Sequence, residues 1–108
     1  MAKQISKQLQ ILRNRLINKF SVEQIFLFGS YAYGTPDNES DIDLCIVADL
    51  QNKRKIDLMR EIRRELLDFL FSPLDILVYN DKEFKERSSL KNTLEHKILT
   101  EGLCIYGK

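Results

Sequence analysis

Three aspartates have the residue type and the spacing that suit chemistry. Asp41 and Asp43 flank one apolar residue, so on an extended strand both carboxylates point to the same face, about 7 Å apart at the backbone. Two neighbouring anions repel each other, and a divalent cation between them is the economical explanation. The alternative interpretation is a solvated strand start whose aspartates simply face water.

Asp75 lies inside the apolar segment Leu74–Val78. An ionised side chain in the middle of such a segment needs a partner, because an isolated charge is costly to bury. If this strand lies beside the strand that carries Asp41 and Asp43, the three carboxylates can share one site. The other interpretation is a structural ion pair with a lysine or arginine at the edge of the core.

Gly29 and Ser30 follow the β-branched and aromatic segment Gln24–Phe28, which is typical of a buried strand. Glycine lets a phosphate group approach the backbone. The amides that follow can bind an anion if they begin a helical turn, with the serine hydroxyl beside them. On its own, a Gly-Ser pair after a strand is more often only a turn.

Together these residues indicate metal-assisted nucleotide chemistry. Ligation by carboxylate oxygens alone favours Mg²⁺ or Mn²⁺ over zinc. Two such ions, about 4 Å apart, can hold a triphosphate and an attacking hydroxyl for in-line displacement. Combined with a phosphate-binding Gly-Ser pair, three aspartates therefore predict nucleotidyl transfer with pyrophosphate as the leaving group.

The composition limits the other classes of function. The chain carries 17 basic and 16 acidic side chains and a net charge of +1, so we expect no direct binding of nucleic acid or of a membrane surface. His96 is the single histidine, which argues against nucleophilic triads and histidine-rich metal sites. Cys45 and Cys104 lie in separate apolar segments, and we expect two buried free thiols.

The elements that must position the aspartates follow from hydrophobic periodicity. Helical periodicity predicts helices over residues 3–19 and 53–70, and alternation predicts strands over 24–28, 42–48 and 74–79. Residues 30–40 are rich in turn-forming types, and residues 103–106 could form a short edge strand. Asp81 is expected to cap a helical region that reaches about Thr100, with Leu90, Leu94 and Ile98 in the core.

This order of elements predicts an α/β fold, a small mixed β-sheet with helices packed on one face, in a single domain that spans residues 1–108. The short connection between the first two strands predicts that they pair antiparallel. The N-terminus lacks an uninterrupted apolar h-region, and no segment approaches the length needed to span a membrane. We therefore expect a cytoplasmic protein.

The motifs resemble a known signature. Gly29-Ser30, ten further residues, Asp41-x-Asp43 and a later strand aspartate are similar to the pattern of the DNA polymerase β-type nucleotidyltransferases. The compact length and the segment Phe26–Ser30 resemble the minimal nucleotidyltransferase (MNT) group in particular. The resemblance implies the palm-like nucleotidyltransferase fold of polymerase β.

The resemblance also implies roles for the five site residues. The first two aspartates of the family bind both Mg²⁺ ions, and the third completes one metal site and helps to activate the acceptor hydroxyl. These roles correspond to Asp41, Asp43 and Asp75. Gly29 and Ser30 would then bind the triphosphate of ATP.

One segment departs from the family pattern. Related proteins often carry a basic residue in the turn after Gly-Ser, where this chain has Tyr31-Ala32-Tyr33-Gly34. Without that cation the triphosphate could bind more weakly, or Tyr33 could stack on the base. The basic residues of segment 53–55 could supply positive charge, although a solvated helix start is the simpler interpretation of them.

The resemblance implies a partner as well. Many MNT proteins pair with a small helical HEPN protein, a ribonuclease toxin, and transfer AMP from ATP to one of its tyrosines. We therefore expect an antitoxin that is an adenylyltransferase and forms a hetero-oligomer with its HEPN toxin. One alternative is a non-catalytic antitoxin that acts by binding alone, for which three clustered acids would be unnecessary. Another is a nucleotidyltransferase for a small molecule such as an aminoglycoside, although those enzymes usually add a helical acceptor domain.

Overall fold

The computed structural model describes residues 2–29, 42–67 and 74–107. In chain order its elements are α1 (Ala2–Lys19), β1 (Val22–Phe28), β2 (Ile42–Ala48), α2 (Lys55–Leu67), β3 (Leu74–Tyr79), α3 (Asp81–Ser88), α4 (Leu94–Glu101) and β4 (Leu103–Tyr106). The limits of β2, β3 and β4 agree with the predicted strands, and β1 begins two residues earlier than predicted.

The strands form a mixed sheet with the order β3-β2-β1-β4. β1 pairs antiparallel with both β2 and β4, whereas β2 and β3 are parallel. The antiparallel pairing of the first two strands confirms the prediction from their short connection. The expected α/β class with a mixed sheet is confirmed.

The first face of the sheet carries the larger core, which α1 and α2 cover. Alternate residues of each strand point to this face, since successive side chains of a strand point to opposite faces. The apolar stripes of the two helices complete it. The buried members include Leu12, Leu16, Ile25, Leu27, Leu44, Ile46, Ile62, Leu66, Ile76 and Val78.

The second face carries a separate, smaller core, so the expectation that the helices pack on one face is corrected. Phe84 of α3 and Ile98 of α4 are buried against Phe26, Cys45 and the other apolar residues of this face. The Phe26 and Phe84 rings stack with their centroids 5.5 Å apart. The reason is visible in β2, where the residues between the first-face positions are also apolar and need their own cover.

The C-terminal helical region consists of two helices rather than the one predicted. Asn80, not Asp81, is the N-cap of α3, and its side chain accepts a hydrogen bond of 2.7 Å from the Glu83 amide. Thr93 caps α4 in the same way, accepting from the His96 amide at 3.1 Å. Asp81 is instead the first helical residue, where its negative charge interacts favourably with the positive end of the helix dipole.

The break between α3 and α4 also changes the burial that we predicted. Leu90 is 60% exposed and Leu94 is 47% exposed, whereas Ile98 is completely buried. Leu90 lies in the turn before α4 and therefore cannot continue the α4 stripe. Cys45 is buried as expected, but Cys104 is exposed on the edge strand β4.

None of the helices in the described part of the chain has the length and apolar character to span a bilayer.

Candidate active site

Strand pairing places Asp43 and Asp75 side by side. Asp43 is the second residue of β2, Asp75 is the second residue of β3, and the two are register partners in the parallel pair. Neighbouring strands lie about 4.8 Å apart, and register partners point to the same face of a sheet. The expected juxtaposition of these two carboxylates, on the face opposite the larger core, is confirmed.

Asp75 is exposed rather than buried. The second-face core begins farther along β3, at Leu77 and Tyr79, so no apolar layer encloses the carboxylate at its own position. The prediction that Asp75 is buried and therefore needs a partner is wrong. The prediction that its side chain points to the same face of the sheet as that of Asp43 is right. Within the described ranges Asp75 forms no ion pair with a lysine or arginine, so the structural ion-pair alternative gains no support.

Asp75 and Asp43 belong to a row of register partners that runs across the sheet and continues into β1. Phe28 pairs with Asp43 across the antiparallel ladder, and its half-buried ring borders the second-face core. Gly29 follows directly, with a φ of 77° in the left-handed region that glycine adopts at little cost. Its backbone lies against the Asp43 side chain. The end of β1 and the starts of β2 and β3 thus form one continuous site.

Asp41, Ser30 and Tyr33 lie outside the described residues. In the ranges that are described, no three histidine, cysteine, aspartate or glutamate side chains cluster as a metal site. The described contribution is the pair Asp43 and Asp75, one half-buried and the other exposed. Oxygen donors that water can reach suit Mg²⁺, which keeps several of its own waters when bound. The residues present therefore fit such an ion.

The basic residues of segment 53–55 lie away from this site. α2 starts beyond the C-terminal end of β2, whereas Asp43 lies near its N-terminal end. Each of the three is paired with an acidic side chain: Lys53 with Glu61, Arg54 with Asp57, and Lys55 with Glu83. Lys55 also lies over the Tyr79 ring, 5.2 Å from its centroid. Lys55 thus links α2 to α3, whereas Lys53 and Arg54 pair with residues of α2 itself.

A buried polar pair on the same face of the sheet as the site, but at the other end of β3, was not predicted. The Tyr79 hydroxyl donates a 2.5 Å hydrogen bond to Glu95 Oε2, and the two residues are 8% and 7% exposed. The bond joins the end of β3 to the first turn of α4. The available signal was spacing, because Glu95 precedes the core residue Ile98 by three positions and so lies on the same helix face.

Burial, with a smaller contribution from Glu95, raises the pKa values of two neutral acids, Cys45 and Tyr79. Burial, with the Glu95 charge as the smaller cause, raises the pKa of the Cys45 thiol from 9.0 to about 12. Burial and the hydrogen bond to Glu95 also raise the pKa of Tyr79 above its usual 10.0. The folded protein thus retains two protons that the unfolded chain releases at alkaline pH.

We expect the contribution of the Cys45 thiol to the free energy of unfolding to be constant below pH 9.0 and to fall as the pH rises toward about 12. The sign follows because, between the two pKa values, the unfolded chain has lost the proton that the folded protein still binds. Each rise in pH therefore favours the unfolded state. Thermal melts across this range should show a shallower alkaline decline for Cys45→Ala. Cys104→Ala, which changes an exposed thiol, is the control. If Cys45→Ala declines in parallel with the parent protein, the thiol is not responsible.

Comparison with known proteins now gives the family. The family described as "Polymerase beta, Nucleotidyltransferase" matches residues 10–108. This chain belongs to that family. The nucleotidyltransferase match covers β1, β2 and β3, and so includes the glycine and the two aspartates whose geometry is described above.

Two relatives of this nucleotidyltransferase show how much of their length is shared. Protein adenylyltransferase MntA of Shewanella oneidensis is 30% identical over 103 residues, which are 94% of this chain and 64% of MntA. MJ0604 of Methanocaldococcus jannaschii is 30% identical over 102 residues, which are 93% of this chain and 96% of MJ0604. The chain thus spans less than two thirds of MntA and nearly all of MJ0604.

Solved structures agree on the nucleotidyltransferase fold. A crystal structure of the toxin-antitoxin MntA-HepT superposes with a TM-score of 0.61 and 18% identity, covering 95% of this chain and 73% of that chain. A crystal structure of the toxin-antitoxin with AMP-PNP gives a TM-score of 0.53 and 25% identity, with the same coverage of both chains. The first likeness confirms the palm-like fold that the motifs imply.

Proposed function

We propose that this chain is a Mg²⁺-dependent protein adenylyltransferase of the MNT group, which transfers AMP from ATP to a tyrosine of a HEPN-family toxin and thereby acts as its antitoxin. The observation that carries the proposal is the register pairing of Asp43 and Asp75 beside Gly29. Family membership and the similarity to MntA support the reaction class. The structural neighbours MntA-HepT and the AMP-PNP complex support a toxin partner and ATP.

The proposed roles of the residues are those that the family resemblance implies. Asp41, Asp43 and Asp75 would hold Mg²⁺, which supplies positive charge to the triphosphate and lowers the pKa of a bound hydroxyl. Asp75 is exposed, so an acceptor hydroxyl from another molecule can reach its carboxylate and give up its proton there. Gly29, which directly follows β1, and the next residue in sequence, Ser30, would bind the triphosphate through their amides and the serine hydroxyl.

The bonds that change are those at one phosphorus atom. The acceptor oxygen forms a bond to the α-phosphorus of ATP, and the bond from that phosphorus to the bridging oxygen breaks. Pyrophosphate leaves on the side opposite the acceptor, as in-line displacement requires. The product is a phosphodiester between the acceptor side chain and AMP.

The direct test is to incubate the protein with α-labelled ATP, Mg²⁺ and a candidate HEPN-family toxin. We expect label on the toxin, loss of the label when the acceptor tyrosine is changed to phenylalanine, and none when ATP is labelled at the γ-phosphate instead. Label on no protein, with full neutralisation of the toxin, would favour an antitoxin that acts by binding.

The small-molecule alternative has its own readout in the same experiment. An aminoglycoside or another hydroxylated compound is added in place of the toxin, and the products are separated by mass. Label that appears only on such a compound, and never on protein, would replace the proposed acceptor while leaving the nucleotidyl transfer itself intact.

A further inference from the structure

Gly29 and Asp43 meet at the end of β1. A Cβ atom built on Gly29 would lie 3.0 Å from Asp43 Cγ and 3.3 Å from Asp43 Cβ, and closer still to the carboxylate oxygen Oδ2. All three of the nearest atoms thus belong to one side chain. The space that a side chain at position 29 would need is the space that the Asp43 carboxylate occupies.

This contact explains the need for glycine at position 29 in a way that differs from the role expected from the sequence. Sequence reasoning assigned Gly29 to the triphosphate, since glycine allows a phosphate to approach the backbone. The structure shows that the same absence of a side chain first admits a carboxylate from the neighbouring strand. One residue of each motif, Gly29 of Gly-Ser and Asp43 of Asp-x-Asp, is therefore in direct contact with the other.

We infer that Gly29 is a positioning residue for Asp43: its missing side chain leaves the space in which the Asp43 carboxylate can lie in the same row as Asp75. The inference rests on the proposed function, because it concerns the carboxylate that would bind Mg²⁺. A side chain at position 29 turns the carboxylate out of the row. The damage is then to metal binding as well as to nucleotide binding.

The first test measures metal binding without any nucleotide or acceptor. Mn²⁺ alone is titrated into the parent protein and into Gly29→Ala, and bound metal is followed by electron paramagnetic resonance. We expect the variant to bind Mn²⁺ at least tenfold more weakly. Equal affinity in the two proteins overturns the inference and leaves the proposed function standing. If the parent protein itself binds no Mn²⁺ and transfers no AMP, the proposed function fails instead.

Gly107→Ala is the matched control. Gly107 also has a positive φ, 98°, and a Cβ there would lie 2.6 Å from the Glu23 carbonyl oxygen, so the backbone strain is comparable. The three atoms nearest to that Cβ belong to Glu23 and Gln24, not to either aspartate of the pair. We expect Gly107→Ala to lower the thermal midpoint but to bind Mn²⁺ like the parent. Equal weakening of Mn²⁺ binding in both variants means that strain alone is responsible, and overturns the inference.

A double-mutant cycle tests the contact in the metal-free protein and remains informative if Gly29→Ala unfolds. The thermal midpoint is measured for Gly29→Ala, Asp43→Ala and the double variant. Because Asp43→Ala removes Oδ2 and Cγ, the two closest of the three atoms that the new Cβ meets, the loss caused by Gly29→Ala should be several degrees smaller in that background. Additive losses, or a double variant that is as unfolded as the single one, would contradict the inference.

Discussion

Replacing Asp43 with asparagine should lower the rate of AMP transfer about 1,000-fold, on the order of 4 kcal/mol in the activation free energy. The substitution keeps the shape of a half-buried side chain at the centre of the row and removes only its charge. Without that charge the site holds a divalent cation weakly, and the triphosphate loses its main source of neutralisation. Initial rates with labelled ATP, at matched amounts of folded protein, measure the effect.

Asp49→Asn is the matched control, because it makes the same chemical change just beyond the other end of β2. Asp49 is exposed, and its Oδ1 accepts a 3.0 Å hydrogen bond from the Gln51 amide, which the asparagine oxygen can also accept. We expect this variant to transfer AMP at the parent rate. A loss of less than tenfold in Asp43→Asn would mean that the paired aspartates are not the catalytic centre.

The second large effect concerns the core of the second face. Phe84→Ala should lower the free energy of unfolding by about 3–5 kcal/mol, which is the usual cost of removing a buried phenylalanine ring. Phe84 is 2% exposed and packs against Phe26 and Tyr79, with ring centroids 5.5 Å and 5.7 Å away. Urea unfolding followed by circular dichroism measures the loss.

Leu90→Ala serves as the control for this variant, since it also shortens a large apolar side chain of the C-terminal region. Leu90 is 60% exposed, and changes at such surface positions usually stay within about 0.5 kcal/mol. The free energy of unfolding of natural domains is only about 5–15 kcal/mol, so Phe84→Ala should remove a large part of it. A loss of under about 1 kcal/mol would show that α3 adds little to the core.

The strands were predictable because their side chains alternate cleanly. In β3, Leu74, Ile76 and Val78 alternate with residues of the other face, and the predicted limits agree with the observed strand. The same alternation gave the direction of Asp43 and Asp75, from which their juxtaposition needed only the additional assumption that their strands are neighbours. The pairing of β2 with β3 satisfies that assumption.

The C-terminal helices were less predictable because two neighbouring residues both favour an N-cap. Asn80 and Asp81 have nearly equal capping preferences, and the structure distinguishes them by the extended backbone of Asn80 and by the hydrogen bond that its side chain accepts from the Glu83 amide. The second start, at Thr93, falls in a segment whose leucine spacing continues a helical pattern through the break. Helical periodicity alone therefore could not separate α3 from α4.

Burial of individual polar groups was the least predictable property. The exposure of Asp75 depends on where the second-face core begins, and the burial of Glu95 depends on how α4 lies against Tyr79. Both are consequences of packing between elements that are distant in the chain. The spacing of Glu95 and Ile98 places Glu95 on the buried face of α4, but no local pattern identifies Tyr79 as its partner.

The pairing of β2 with β3 also protects the candidate site from misalignment. A slip of β3 by one residue would turn Asp75 toward the larger core and bring Leu74 and Ile76 out to solvent, since side chains on a strand alternate between faces. Such a slip would bury a charge and expose two large side chains at once. The apolar residues on either side of Asp75 thus fix the register of β3 and keep the aspartate on the face that it shares with Asp43.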